Sequence, residues 1–148
     1  MARFLFLIFT ASFFLFSCSE KQEKKVEESS GIILRKTPNF NADTAYGYVA
    51  AQTDFGPRVP NSLAHVRCGD FLVKNFKRYG LQVVEQTFER RAFDGKNLRL
   101  RNIVASINPT ASKRIVIASH WDSRPFADNS KLNTNKPIDG ANDGASGV

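Results

Sequence analysis

The sequence predicts an α/β fold, two helices leading into a sheet, on three observations. Apolar residues between positions 42 and 80 recur at helical spacing. Beyond Gly80 the apolar period falls to about two residues, the repeat of a strand. The run Ile115-Val116-Ile117-Ala118-Ser119 is apolar on both faces, as in a strand covered from two sides. With 148 residues in all, the chain is at most one ordinary domain.

The elements follow in order. Arg3 precedes an apolar run over residues 4–16, interrupted by Thr10 and Ser12 alone, and Ser17-Cys18 closes it. That order of charge, apolar core and small residue is a bacterial secretory signal over residues 1–17. A short uncut membrane anchor is the alternative, although the run is short for a hydrocarbon core of about 30 Å. Cys18 after a small residue resembles a lipoprotein signal, in which the cysteine is lipidated and becomes the new N-terminus; Phe16 is bulkier than most such signals carry. Residues 18–38 are then a linker. Its first part, residues 19–30, is highly charged and almost free of apolar groups, so it cannot bury enough surface to order itself. The expected location is outside the cytoplasm, held at a membrane through Cys18.

Residues 39–43 offer cap residues ahead of Ala45, Tyr46, Val49 and Ala50, and that helix should stop near Gly56-Pro57. Pro60 keeps the next segment extended. Asn61 or Ser62 caps a second helix whose apolar side is Val66, Phe71, Leu72, Phe76 and Tyr79, with Gly80 as its left-handed stop. Leu81, Val83 and Glu85 then alternate in a strand reaching Arg90. Phe93-Asp94-Gly95-Lys96 is a turn, and Leu98, Leu100, Ile103, Ala105 and Ile107 mark a long strand with a bulge near Asn102. After a second turn at residues 108–112 comes the apolar strand, residues 114–119. Helices to cover its other face are expected beyond Val148.

The formal net charge is +7, and it is accounted for between Arg67 and Arg114, where eleven Lys and Arg residues face four acidic ones. A basic stripe can serve nucleic acid. In an exported chain it is expected to be a solvated face or a contact for acidic lipid headgroups, so no nucleic-acid partner is expected. With Cys18 lipidated, Cys68 is the one remaining thiol, no internal disulfide can form, and a buried place in the second helix is its expected role.

The chemistry gathers in the last thirty residues. The apolar strand runs into His120-Trp121-Asp122-Ser123-Arg124-Pro125, and Gly140-Ala141-Asn142-Asp143-Gly144-Ala145-Ser146-Gly147 follows after a polar loop. Strand ends are where functional groups collect in open α/β sheets. Residues two apart on a strand point the same way, so His120 and Asp122 share a face. An imidazole there can bind a divalent metal while a carboxylate fixes its tautomer. Asp143, in a glycine-rich loop, can approach from another side. Spacing alone leaves the bland alternatives open: a hydrogen-bonded His/Asp pair, and a plain glycine turn.

These two stretches, with Asp54-Phe55-Gly56-Pro57-Arg58-Val59-Pro60-Asn61-Ser62 upstream, resemble the zinc-dependent glutaminyl-peptide cyclotransferases of the M28 aminopeptidase clan. The likeness covers residues 39–148, and Trp-Asp-Ser-Arg-Pro favours the cyclase branch over a generic aminopeptidase. The fold implied is a zinc-aminopeptidase-like (phosphorylase/hydrolase-like) three-layer domain with a mixed sheet, of which this chain is the N-terminal part. The resemblance makes Asp143 a zinc ligand and His120 a metal-binding histidine, one that in single-zinc cyclases lies near the site without necessarily ligating. It makes Asp122 the catalytic-site aspartate that orients His120, with Ser123 and Arg124 in support. The activity implied is an acyltransferase reaction, closure of a peptide's N-terminal glutamine to pyroglutamate with loss of ammonia. Family members supply a proton-shuttling glutamate and the other ligands from later segments, so the 148 residues alone are expected to be inactive. The alternatives are an M28-type zinc aminopeptidase and, from another class, a non-catalytic truncated lipoprotein.

Overall fold

The computed structural model describes residues 36–148, and the compact unit within them is Asn39–Val148. The expected signal, Cys18 and nearly all of the linker lie outside the described residues. Among the described residues, no helix is long and apolar enough to cross a membrane.

Two helices come first among the described residues. Helix α1 spans Ala42–Thr53, with Asn41 as N-cap accepting from the Thr44 N–H at 2.9 Å. Of the side read in the sequence, Ala45, Val49 and Ala50 are partly buried. Tyr46 is exposed, and the residue α1 buries is the polar Gln52. Helix α2 spans Leu63–Arg78 and takes Ser62, not Asn61, as its cap; the Ser62 hydroxyl accepts from His65 N–H at 3.1 Å. The stripe it buries is His65, Cys68, Gly69, Leu72 and Val73. Val66 and Tyr79, expected inside, are exposed. Tyr79 instead shares a hydroxyl–hydroxyl hydrogen bond with Tyr48 of α1. Gly80 ends α2 as expected, at φ 75°. The Gly80 N–H reaches Lys77 O, and the Leu81 N–H reaches Phe76 O. This is a Schellman closure, which needs the left-handed conformation that glycine adopts without penalty.

The sheet has two antiparallel strands, β1 (Gln82–Arg91) and β2 (Asn97–Ser106), paired from Gln82↔Ser106 to Arg91↔Asn97. No bulge interrupts the register: Asn102 sits opposite Gln86. The Ala92–Lys96 loop closes the hairpin with Gly95 at φ 85°. Asn61, displaced from the cap, uses its amide twice on the hairpin's lower edge. It donates to Asn97 O at 2.9 Å and accepts from Arg99 N–H at 2.8 Å.

Arg101 joins the layers. It reaches across α2, bonding Asp70 at 2.8 Å, Glu85 at 3.0 Å and Val66 O at 3.0 Å. The crossing explains a glycine inside a helix, where one costs about 1 kcal/mol against alanine. A Cβ on Gly69 would overlap the Arg101 guanidinium outright. The core beneath is small: Cys68, Leu72 and Trp121, with Phe55, Phe71, Phe76 and Ile103 packed against them.

The expected third strand, residues 114–119, is corrected. It joins no ladder, and Ile115, Val116 and Ile117 are each about 90% exposed. A cleft of about 740 Å³ separates it from β2. Its apolar pattern records burial on both faces, and among the described residues nothing supplies either face. Among the described residues the architecture is therefore two helices against a two-stranded antiparallel sheet, and the mixed three-layer arrangement is not seen there.

Burial pushes the Cys68 thiol up to about 11. At pH 8 it should stay protonated and alkylate with iodoacetamide at least about a hundredfold more slowly than in urea, since the thiolate is the nucleophile. Equal rates with and without urea would remove Cys68 from the core.

Candidate metal centre

The site rests on a buried arginine. Arg58 lies in the extended segment between Pro57 and Pro60 and has no exposed surface. Among the described residues its guanidinium meets no carboxylate and instead donates to four backbone carbonyls. Nε reaches Trp121 O at 2.9 Å, and Nη1 reaches Gln52 O at 3.3 Å and Asp139 O at 2.7 Å. Nη2 reaches Gly140 O at 2.8 Å. Its own carbonyl accepts from Ser123 N–H at 3.2 Å. One side chain thus ties the end of α1, the 120–124 segment and the glycine-rich loop into one body. Gln52 adds a second tie, Nε2 to Ala145 O at 3.0 Å.

Burial alternates along the segment so held. Trp121 and Ser123 are buried while His120 and Asp122 face outward, the alternation of an extended chain. Trp121 stacks on His65, ring centroids 4.2 Å apart and 17° from parallel. The His65 imidazole is held below its ordinary value by burial, partly offset by the Asp122 carboxylate and reinforced by Arg101.

The structure brings together all three residues singled out in this region. His120 Nδ1 faces Asp122, 3.3 Å from Oδ1 and 3.1 Å from the carbonyl oxygen. His120 Nε2 faces Asp143 Oδ1 at 3.2 Å. All three side chains are about half exposed, so an ion or substrate can reach them. Gly144 permits the approach: its φ is 123°, and a Cβ there would stand 2.8 Å from Asp122 O and 3.1 Å from His120 Cε1.

Both ring nitrogens of His120 therefore point at acceptors. A neutral imidazole carries one N–H, which serves one of the two contacts and leaves the other ring nitrogen and the oxygen facing it as two lone-pair donors, the pairing that a metal ion takes up. The geometry suits a metal. Zinc at about 2.0–2.2 Å from each donor, with tetrahedral angles, sets the two donors about 3.3–3.5 Å apart, close to the spacing found. A metal on Nε2 leaves Nδ1–H to donate to Asp122, a common support for a liganding histidine. Among the described residues no group of three or more His, Cys, Asp or Glu converges on one point. The residues present fit two corners of such a centre.

The sequence reading missed several contributors. Arg58 was part of a familiar stretch with no task of its own, because its partners lie up to 82 positions away and are all backbone. Gln52 and His65 passed as helix positions. Arg124 proves closer to the site than expected: its Nε lies 3.0 Å from Asp143 Oδ2, an ion pair without hydrogen-bond alignment, and its Nη1 meets Asp128. Ser123 is buried, its hydroxyl without a partner among the described residues.

Residues 102–148 match Peptidase family M28. Among solved structures, the chain is 49% identical to a glutaminyl cyclase of Bacteroides thetaiotaomicron bound to N-acetylhistamine, with a TM-score of 0.73 over 76% of this chain and 39% of that one. It is 48% identical to the glutaminyl cyclase of Tannerella forsythia, with a TM-score of 0.71 over 74% of this chain and 38% of the other. A Zn-dependent exopeptidase of Parabacteroides distasonis is also 49% identical, with a TM-score of 0.73 over 76% and 39%. The chain spans about two fifths of the length of these proteins. The family resemblance read in the motifs holds, and zinc is the metal it implies.

Replacing Gly144 by alanine should separate the two halves of the site while sparing the hairpin. The expected result is unchanged far-UV circular dichroism with loss of the His120–Asp143 contact, read from the His120 ring resonances. An unaltered His120 environment in that variant would show that the close approach is not required.

Proposed function

Because the chain is a relative of the bacterial glutaminyl cyclases and zinc-dependent exopeptidases of peptidase family M28, we propose that its protein closes N-terminal glutamine of peptides to pyroglutamate. The observation that carries the reading is His120 with a carboxylate on each ring nitrogen, Asp143 at 3.2 Å and Asp122 at 3.3 Å. In the reaction the peptide's free amine attacks its own side-chain amide carbon. A C–N bond closes the five-membered ring, the bond to the amide nitrogen breaks, and the amine proton leaves with ammonia.

His120 and Asp143 would hold zinc, which when bound supplies Lewis-acid polarisation of the amide oxygen. Asp122 keeps the His120 ring in one orientation and tautomer by accepting at Nδ1. Arg124 neutralises the outer oxygen of Asp143 and restrains its rotation. The proton transfer from amine to leaving nitrogen needs a general acid–base group. Glu85 is engaged with Arg101, and Glu89 sits opposite Arg99 on the hairpin, so neither is recruited. The 148 residues by themselves are proposed to lack turnover for want of that group and of a full ligand set. The protein is further proposed to be an exported lipoprotein anchored through Cys18, acting on peptides with N-terminal glutamine. Removal of an N-terminal residue by metal-activated water is the second reading, favoured by the identity to a Zn-dependent exopeptidase.

A glutamine-led peptide incubated with the protein extended to the length of its relatives should yield pyroglutamyl peptide and ammonia, and zinc chelation should abolish the product. Release of free glutamine would establish the exopeptidase instead. Asp143→Asn should weaken zinc binding by about tenfold or more, in line with losses seen when a metal site's support is removed. Zinc-dependent cyclase turnover by the 148-residue chain would contradict the proposed lack of turnover.

A further inference from the structure

We propose that His65 is a positioning residue for the metal pair, acting through the face of Trp121. The inference rests on the reading of His120 and Asp143 as metal-holding residues, and it adds a residue from the opposite layer that the sequence motif does not contain.

Three observations support it. First, the two rings meet face to face at 4.2 Å and 17°, and both are more than nine-tenths buried. Second, His65 is itself fixed: its N–H is bound by the Ser62 cap at the first turn of α2. The imidazole has no hydrogen-bonded partner among the described residues, so its contribution is its flat face. Third, Trp121 is the residue between His120 and Asp122. In extended chain, holding the central side chain inward turns both neighbours outward to the same side. Arg58 fixes the Trp121 carbonyl at 2.9 Å, which leaves rotation of the indole and its backbone as the freedom that His65 removes. The guanidinium carbon of Arg101 lies over the indole, 5.9 Å from its centroid.

A purely space-filling role would be met by any side chain of similar volume. A positioning role needs a flat ring, and its effect must appear at His120, which His65 does not touch. The chain has two histidines and one tryptophan, so both readouts are free of overlap. Imidazole nitrogen resonances distinguish His65 from His120 by the loss of one set on substitution, and all the fluorescence at the tryptophan wavelength is Trp121.

The experiment compares the 148-residue chain with His65→Leu and His65→Phe, each ¹⁵N-labelled at histidine and first free of metal. In the parent and in His65→Phe, His120 should show two distinct ring nitrogen shifts, the signature of one fixed tautomer. In His65→Leu the two should average, with the far-UV spectrum unchanged. Titration with Zn²⁺ alone should then show affinity about tenfold weaker in His65→Leu and within about twofold of the parent in His65→Phe. Retention of the parental His120 shifts in His65→Leu overturns the proposal, as does averaging in a folded His65→Phe. Unfolding of His65→Leu leaves His65→Phe to decide alone, and unfolding of both overturns the proposal by assigning His65 to the fold. A parent that binds no Zn²⁺ counts against the metal reading, while the metal-free shifts still decide the role of His65.

Discussion

A guanidinium bound by backbone carbonyls holds the described residues together. Arg58 is wholly buried, and a buried charge is tolerated only when its donors are met. Here four backbone carbonyls meet them, from Gln52, Trp121, Asp139 and Gly140. The planar fork of arginine suits that task because it presents several donors in fixed directions, where lysine offers a single flexible point charge. The bonds to Gln52, Trp121 and Gly140 are buried, so those carbonyls are in turn spared the cost of burial without a partner. The prolines at 57 and 60 keep the segment extended, and the whole of Arg58 is enclosed, its own carbonyl accepting from Ser123 N–H. Remove this centre and the end of α1, the His120 segment and the Asp143 loop have few other reasons to meet.

The functional geometry is a consequence of that clamp. His120 and Asp143 are far from buried, and neither loop belongs to a regular element that would place it. Their 3.2 Å approach is set from below, by Arg58 on the carbonyls of Trp121 and Gly140 and by Gln52 on that of Ala145. It is permitted from the side by Gly144. Exposed side chains on a fixed backbone are what a ligand-binding pair requires: reach toward solvent without the loss of aim that a free loop would bring.

Much of this was legible in the sequence because it is local. The caps, the Gly80 stop, the hairpin turn and the strands on either side of it each depend on residues within a few positions. His120, Asp122 and Asp143 were legible from residue type and from resemblance to a family. Helix rotation was less so: Val66 and Tyr79 are apolar yet exposed, and Gln52 and His65 are polar yet buried, because partners elsewhere in the chain decide which face turns inward. Residues 114–119 show the other limit. Their apolar pattern states what the segment would bury, while a strand exists only where a second backbone completes its hydrogen bonds. Arg58 was invisible for the same reason. Its partners are carbonyls, which every residue has, at separations that leave no periodicity.

The most direct test of the clamp is Arg58→Met, which keeps much of the stem and removes every donor. Four carbonyls then lose a buried partner at about 1–3 kcal/mol each. Acrylamide quenching of Trp121 emission, followed alongside amide hydrogen exchange, reads the result. The expectation is an indole opened to the quencher and fast exchange over residues 119–124 and 139–145, with β1 and β2 still protected. A Trp121 as shielded as in the parent, with both segments still protected, would contradict the account.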